Sequence, residues 1–323
     1  MKLLCNGFNL YRQLGTTDLV LEKFTEIFGG YSVNDININH SFSVLKTDGS
    51  YKVICRNKQI CLSSCGKIIK MCCNDERIIL VNDKGKLFKI DFANIDTPCD
   101  ISNILNLPCN EQIVNVSCGS KLTIVYSDKG SLYNVPNKLV FNSENIVDIQ
   151  CGREHCLLLD KFGNVYTFGR GSRGQLGHGQ LDDTSEPVQV EALGGIKITQ
   201  IATGGWHSCA LSKDGDLYTW GWNGNGQLGL GNGEESNVSV MASQHVVDLP
   251  DSQRNVVQVA CGNRHTIVLL DNNHLFGCGW NKYKQLTGID KENFHSFTYL
   301  HDFLGENVVA LKCGPWNSVV LCK

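Results

Sequence analysis

Proline is scarce in this chain, at 6 of 323 residues, and runs of five or six like charges are missing altogether. A basic tail that would grip phosphates is therefore not expected, and the formal net charge of -3 disfavours direct nucleic-acid binding. No apolar run reaches the roughly 18 residues that a helix needs to cross a bilayer, so no membrane role is expected. The opening Met1-Lys2-Leu3-Leu4-Cys5 imitates the end of a lipoprotein signal, but the apolar region of such a signal has no room, and the segment reads as a strand. Without export the 16 cysteines are expected to stay reduced, which places the chain in the nucleus or the cytoplasm. No composition shift or Pro/Ser-rich linker divides residues 1–323, so a single domain is expected.

What the chain has in excess is glycine, 33 residues, and the excess is periodic. Ile149-Gln-Cys-Gly-Arg-Glu-His155, Val165-Tyr-Thr-Phe-Gly169 and Gly174-Gln-Leu-Gly177 recur as Ile201-Ala-Thr-Gly-Gly-Trp-His207, Leu217-Tyr-Thr-Trp-Gly221 and Gly226-Gln-Leu-Gly229. A weaker copy runs Val259-Ala-Cys-Gly-Asn-Arg-His265, Leu275-Phe-Gly-Cys-Gly279 and Gln285-Leu286-Thr287. A turn residue stands eight positions after each histidine, at Gly163, Gly215 and Asn273. The same offset finds anchors at Ser41, Arg77 and Leu122 with turns at Gly49, Gly85 and Gly130, and a last anchor sits at Asn317.

Seven anchors predict seven units. Each unit reads as short Val, Ile, Leu and Tyr runs separated by Asp-Gly or Lys-Gly turns, the pattern of a four-stranded antiparallel meander. Meanders repeated without a helical period predict an all-β, seven-bladed propeller in which each blade buries its faces against two neighbours. The last unit stops at Lys323 without outer strands, and Leu3-Leu-Cys-Asn-Gly7 through Gln13-Leu14-Gly15 supplies the matching half. One blade is thus expected to be closed by N- and C-terminal strands. The well-matched repeats cover about 145–323 and degenerate blades about 16–140. Anchor spacing in the degenerate part is tight enough that those blades are expected to lack a full outer strand.

The Cys-Gly-x-x-His, Val-Tyr-x-Phe-Gly and Gly-Gln-Leu-Gly set resembles the regulator of chromosome condensation repeat. Gly204-Gly-Trp-His-Ser208, Trp220-Gly-Trp-Asn223 and Cys313-Gly-Pro-Trp-Asn317 are similar to the small, tail-less members of that family. The resemblance implies a non-enzymatic adaptor associated with chromatin, partnering a JmjC-domain oxygenase that demethylates or hydroxylates. The family's founding member is instead a guanine nucleotide exchange factor for a nuclear Ras-like GTPase, and it works through one propeller face and an inserted wedge. No interval between anchors here is long enough for a wedge, so exchange activity is the alternative reading.

The motifs that imitate chemistry have simpler explanations. Gly169-Arg-Gly-Ser-Arg-Gly174 and Gly224-Asn-Gly-Gln-Leu-Gly229 fit a dinucleotide pattern, but strands and turns follow them where a phosphate-binding helix is required. Cys61, Cys65, Cys72 and Cys73 lack the spacing of a zinc site, and no metal or cofactor is expected. Cys118, Cys151, Cys261 and Cys313 precede the repeat glycine and are expected near the propeller axis. His155, His207 and His265 recur at one position, which suits a hydrogen bond to backbone within the blade rather than catalysis, and no enzymatic activity is expected. In a four-stranded meander the first and third turns lie at one end. That end would carry Arg153, Arg170, Arg173, Arg264, Lys282 and Lys284 interleaved with Trp206, Trp222, Trp280 and Trp316, a basic and aromatic protein-binding face.

Overall fold

Five blades follow the same local rule: a hairpin whose turn needs a positive φ, supplied by Gly85, Gly130, Gly163 and Gly215 and by Asn273 at 64°. The computed structural model describes residues 1–323 apart from 49, 56–57, 93–96, 143–144, 232–237 and 252. It is all-β, with seven four-stranded antiparallel sheets in a propeller. The fourth blade shows the plan: an innermost strand Ile146–Cys151, then His155–Asp160, Val165–Gly169 and an outer strand Thr184–Gln189. The fifth follows with Ile198–Thr203, His207–Ser212, Leu217–Trp222 and Val240–Val246. The sixth has Val256–Cys261, His265–Leu270, His274–Trp280 and Asn293–Asp302.

The first three blades depart from expectation in one respect. Each has a fourth strand, at Lys58–Cys61, Cys99–Asp100 and Asn137–Asn142. The outer strand is shortest in the second blade, at two residues, whereas in the third it is six residues long, as in the fourth blade. The first anchor is also displaced. Ile38 pairs with Ser43 as Cys73 pairs with Ile78 and Cys151 with Cys156, so the residue equivalent to His155 is the fully buried Phe42 and not Ser41. The cause is a turn one residue shorter, since Lys46 pairs with Tyr51 whereas Leu159 pairs with Val165. The turn residue Gly49 lies outside the described residues.

Closure follows the expected register. Val308–Gly314 pairs with Asn317–Cys322 at the C-terminal end, Asn317–Cys322 pairs with Lys2–Phe8, and Lys2–Phe8 pairs in turn with Val20–Ile27. Gly7 faces Asn317 as Gly169 faces His155 and Gly221 faces His207. Gly7 has φ of 110°, and a Cβ there would lie 2.4 Å from the Trp316 carbonyl oxygen, so only glycine fits this crossing.

The core is not central but divided among the blade interfaces. Leu3, Ile27, Val319 and Leu321 of the closing blade meet Val33, Ile36 and Leu45 of the first, and Leu157 and Leu159 of the fourth meet Ile201, Ala210 and Trp220 of the fifth. Second strands such as His207–Ser212 are buried at every residue because both faces of the sheet are covered. Each large aliphatic side chain so buried contributes about 1.5–3 kcal/mol. Among the described residues, no helix is long and apolar enough to cross a membrane.

Candidate protein-binding face

The loops leading from the innermost strand to the second, and from the third to the outer strand, emerge at one end of the ring. Their backbones interlock: Arg170 N–H donates to the Glu154 carbonyl and Trp222 N–H to the Trp206 carbonyl, at 2.9 and 2.8 Å. The histidines fasten the blades beneath this end, though not as the sequence suggested. His155, His207 and His265 each place Nε2 against a hydroxyl of the next blade, Ser208 at 3.0 Å, Thr266 at 3.0 Å and Ser318 at 3.2 Å. Those hydroxyls donate to the carbonyls of Gln175, Gln227 and Gln285. A hydroxyl has one proton, so it must accept from the imidazole, which fixes the Nε2–H form. Burial pushes the His155 and His265 imidazoles down to about 3, and His207 beside them adds to the shift.

On the axis a cavity of about 160 Å³ is lined by Cys73, Cys118, Cys151, Cys261 and Cys313 at the ends of innermost strands. The axial placement expected for the repeat cysteines is thus what the fold produces. Burial would push the Cys261 thiol up, but the Cys209 thiol and the His207 imidazole beside it bring it down to about 5.

Around the mouth, the arginines and tryptophans alternate in contact. Arg153 lies over Trp206 at 5.4 Å, Arg173 over Trp206 at 4.4 Å and over Trp222 at 5.2 Å, and Arg264 over Trp222 at 5.2 Å and Trp280 at 5.3 Å. The series continues from Trp280 to Tyr283 at 5.3 Å, to Trp316 at 5.4 Å and to His40 at 6.2 Å. His40 meets Asp75 at 3.2 Å, and Asp75 meets Arg153 at 3.8 Å, which closes the belt. The hydrogen bond from His40, with Arg153 nearby, holds the Asp75 carboxyl below its ordinary range.

The structure brings together Arg153, Arg173, Trp206, Trp222, Arg264, Trp280 and Trp316, but the face is less uniformly basic than the sequence implied. Arg170 sits at the margin, paired with Glu154 at 3.7 Å, and Glu154 also accepts from the Trp206 indole N–H. Lys284 folds against Asp290 at 3.1 Å, and Lys282 is exposed without contributing to the belt. Among the described residues, Arg173 and Arg264 have no carboxylate within ion-pair distance. Of the five tryptophans, Trp220 alone is fully buried between blades, donating to the Gln175 carbonyl. Sequence reasoning missed Tyr283, His40 and Asp75, which reach the belt only once the ring is closed.

The repeat plan on which this belt stands is matched by family models. The regulator of chromosome condensation (RCC1) repeat matches residues 163–211 and 214–269, and a second model of that repeat matches 146–175, 198–227 and 256–285. The chain carries RCC1 repeats. Human RCC1 domain-containing protein 1 is 35% identical over 207 residues, covering 53% of this chain and 55% of that protein. The ultraviolet-B receptor UVR8 of Arabidopsis thaliana is 33% identical over 256 residues, covering 73% of this chain and 56% of the receptor. The chain therefore spans about half the length of the curated relatives it matches. Yeast RCC1 (Prp20), solved bound to Kap60, superposes with a TM-score of 0.83 over 99% of this chain and 88% of that chain, at 13% identity, which shows the shared propeller. The matched RCC1 repeats supply the belt from Arg153 to Tyr283, while His40, Asp75 and Trp316 complete it from outside them.

Proposed function

We propose that this RCC1-repeat propeller is a non-enzymatic scaffold that docks another protein on the belt face, with an acidic segment of the partner lying across Arg173 and Arg264. The observation that carries this reading is the pair of guanidinium groups held between indole rings with, among the described residues, no neutralising carboxylate. Stacking fixes their orientation before binding, so less side-chain freedom is lost on contact, and arginine and tryptophan are the residues most enriched in binding hot spots. A stable complex would bury on the order of 1,600 Å² in total. The three repeat histidines are committed to neighbouring blades, which also favours a scaffold.

The resemblance to the small RCC1-repeat adaptors points to a JmjC-domain oxygenase as the partner and to chromatin, in the nucleus, as the setting. Titration calorimetry with such an oxygenase tests this. Arg173→Glu with Arg264→Glu is expected to weaken binding by about 2 kcal/mol or more, roughly thirtyfold, whereas Arg170→Glu at the margin changes little. Full affinity in the double variant rejects the face. Accelerated nucleotide release from a nuclear Ras-like GTPase would instead support the exchange-factor alternative.

A further inference from the structure

The interface between the fifth and sixth blades holds a group of donors that the belt does not use. We propose that His207, Cys209 and Cys261 form a three-donor site for one soft, monovalent d10 cation, copper(I), reached through the axial channel. One imidazole nitrogen of His207 and the sulfurs of Cys209 and Cys261 lie within 4.8 Å of one another, and the two sulfurs are 3.4 Å apart. Strand geometry explains the convergence. His207 and Cys209 are two apart on one strand and so point to the same side of the sheet, while Cys261 ends the innermost strand of the next blade. A bound ion would therefore tie two blades together.

A structural explanation covers the histidine but not the thiols. At the preceding interface the equivalent positions are His155, Leu157 and Thr203, and at the following one His265, Ile267 and Cys313. The histidine latch is common to all three interfaces, yet the full His-Cys-Cys set occurs only here. His207 is fully buried, its Nε2 faces the Thr266 hydroxyl, and its Nδ1 has no hydrogen-bond partner. An outer hydroxyl that orients the imidazole is the usual support of a metal-ligating histidine.

The donor set selects the ion. Two soft thiolate sulfurs with one imidazole make a three-donor set that favours copper(I), whereas structural zinc takes four donors in a closed tetrahedron. With metal–sulfur bonds of about 2.3 Å, both sulfurs can reach one ion from their present separation. Cys209 is fully buried, while Cys261 is half-buried and lines the axial cavity, which gives the ion a path. Binding replaces the Cys209 thiol proton, and any proton that Cys261 still carries, with one cation. The protons leave to solvent, and no electron is transferred.

The test is an anaerobic titration of the reduced full chain with copper(I), competed by a chromogenic copper(I) chelator and followed by X-ray absorption. The chain should retain one equivalent against the chelator, with two sulfurs and one nitrogen around the metal, and its melting temperature should rise. Cys261→Thr, which installs the residue found at the equivalent position Thr203, should lose that equivalent and the thermal shift while melting normally without metal. Cys209→Val should do the same, since Val319 stands there in the closing blade. Replacing the exposed Cys99 and Cys109 together should change nothing. The proposal is overturned if Cys261→Thr keeps the retained equivalent, if the wild-type chain yields all its copper to the chelator, or if the absorption spectrum lacks the nitrogen.

Discussion

Removing one buried hydroxyl at two equivalent points of the ring should have unequal costs, and the structure says why. Ser208 Oγ accepts from His155 and donates to the Gln175 carbonyl at 2.9 Å, and Ser318 Oγ accepts from His265 and donates to the Gln285 carbonyl at 2.6 Å. All six residues are fully buried. The Gln175 carbonyl also accepts from the Trp220 indole at 3.0 Å, so Ser208→Ala strands only the His155 N–H. Among the described residues no second donor reaches the Gln285 carbonyl, so Ser318→Ala strands a donor and an acceptor together. A buried polar group left without a partner costs about 1–3 kcal/mol, which predicts a loss of about 1–3 kcal/mol for Ser208→Ala and about 2–6 kcal/mol for Ser318→Ala. Urea unfolding followed by tryptophan fluorescence, compared at constant slope, measures both. Losses below about 0.5 kcal/mol, or Ser208→Ala costing more than Ser318→Ala, would refute the latch.

Acid should weaken the fold through the same histidines. His155 and His265 are held down to about 3 in the folded chain, while the unfolded chain takes up these protons near pH 6.5, so stability is complete above that value and falls as pH drops towards 3. From pH 7 to pH 5 the loss is roughly 2 kcal/mol for each histidine, and a urea midpoint that stays flat over this range contradicts it. Gly169→Ala should cost more than Gly195→Ala by circular-dichroism melting, because both have positive φ but only Gly169 would press its Cβ to 2.5 Å from a carbonyl oxygen. Equal losses would show that the crossing is not tight. Deleting residues 319–323 removes the partners of Leu3, Leu4 and Cys5, and an unchanged melting temperature would contradict closure of the ring by strand pairing.

The ring and its seam were legible because they depend on positions that tolerate one residue type. Gly7 could be aligned with Gly169 and Gly221 because a backbone crossing leaves no room for a Cβ, and such a constraint survives when the rest of a blade has diverged. Outer strands were harder to see. They pair on one side only and bury no residue fully in Thr184–Gln189, so their pattern is weak, and Cys99–Asp100 leaves almost none. The latch was half visible. Ser208, Thr266 and Ser318 each follow an anchor, a recurrence that marks hydroxyl partners in the next blade rather than a backbone partner in the same one. The belt could be guessed from its arginines and tryptophans, but neither its closure through Tyr283, His40 and Asp75 nor the neutralisation of Arg153 could, since the contacts of His40 with Trp316 and of Asp75 with Arg153 join blades distant in sequence.

Hydrogen–deuterium exchange of the full chain, alone and with a bound JmjC-domain oxygenase, tests most directly whether the belt is the docking surface. The account predicts slowed exchange in the loops at 152–154, 204–206, 262–264 and 314–316, and no change in the turns at 161–164, 213–216 and 271–273 on the opposite end. Protection confined to those opposite turns, with the belt loops unaffected, would contradict it.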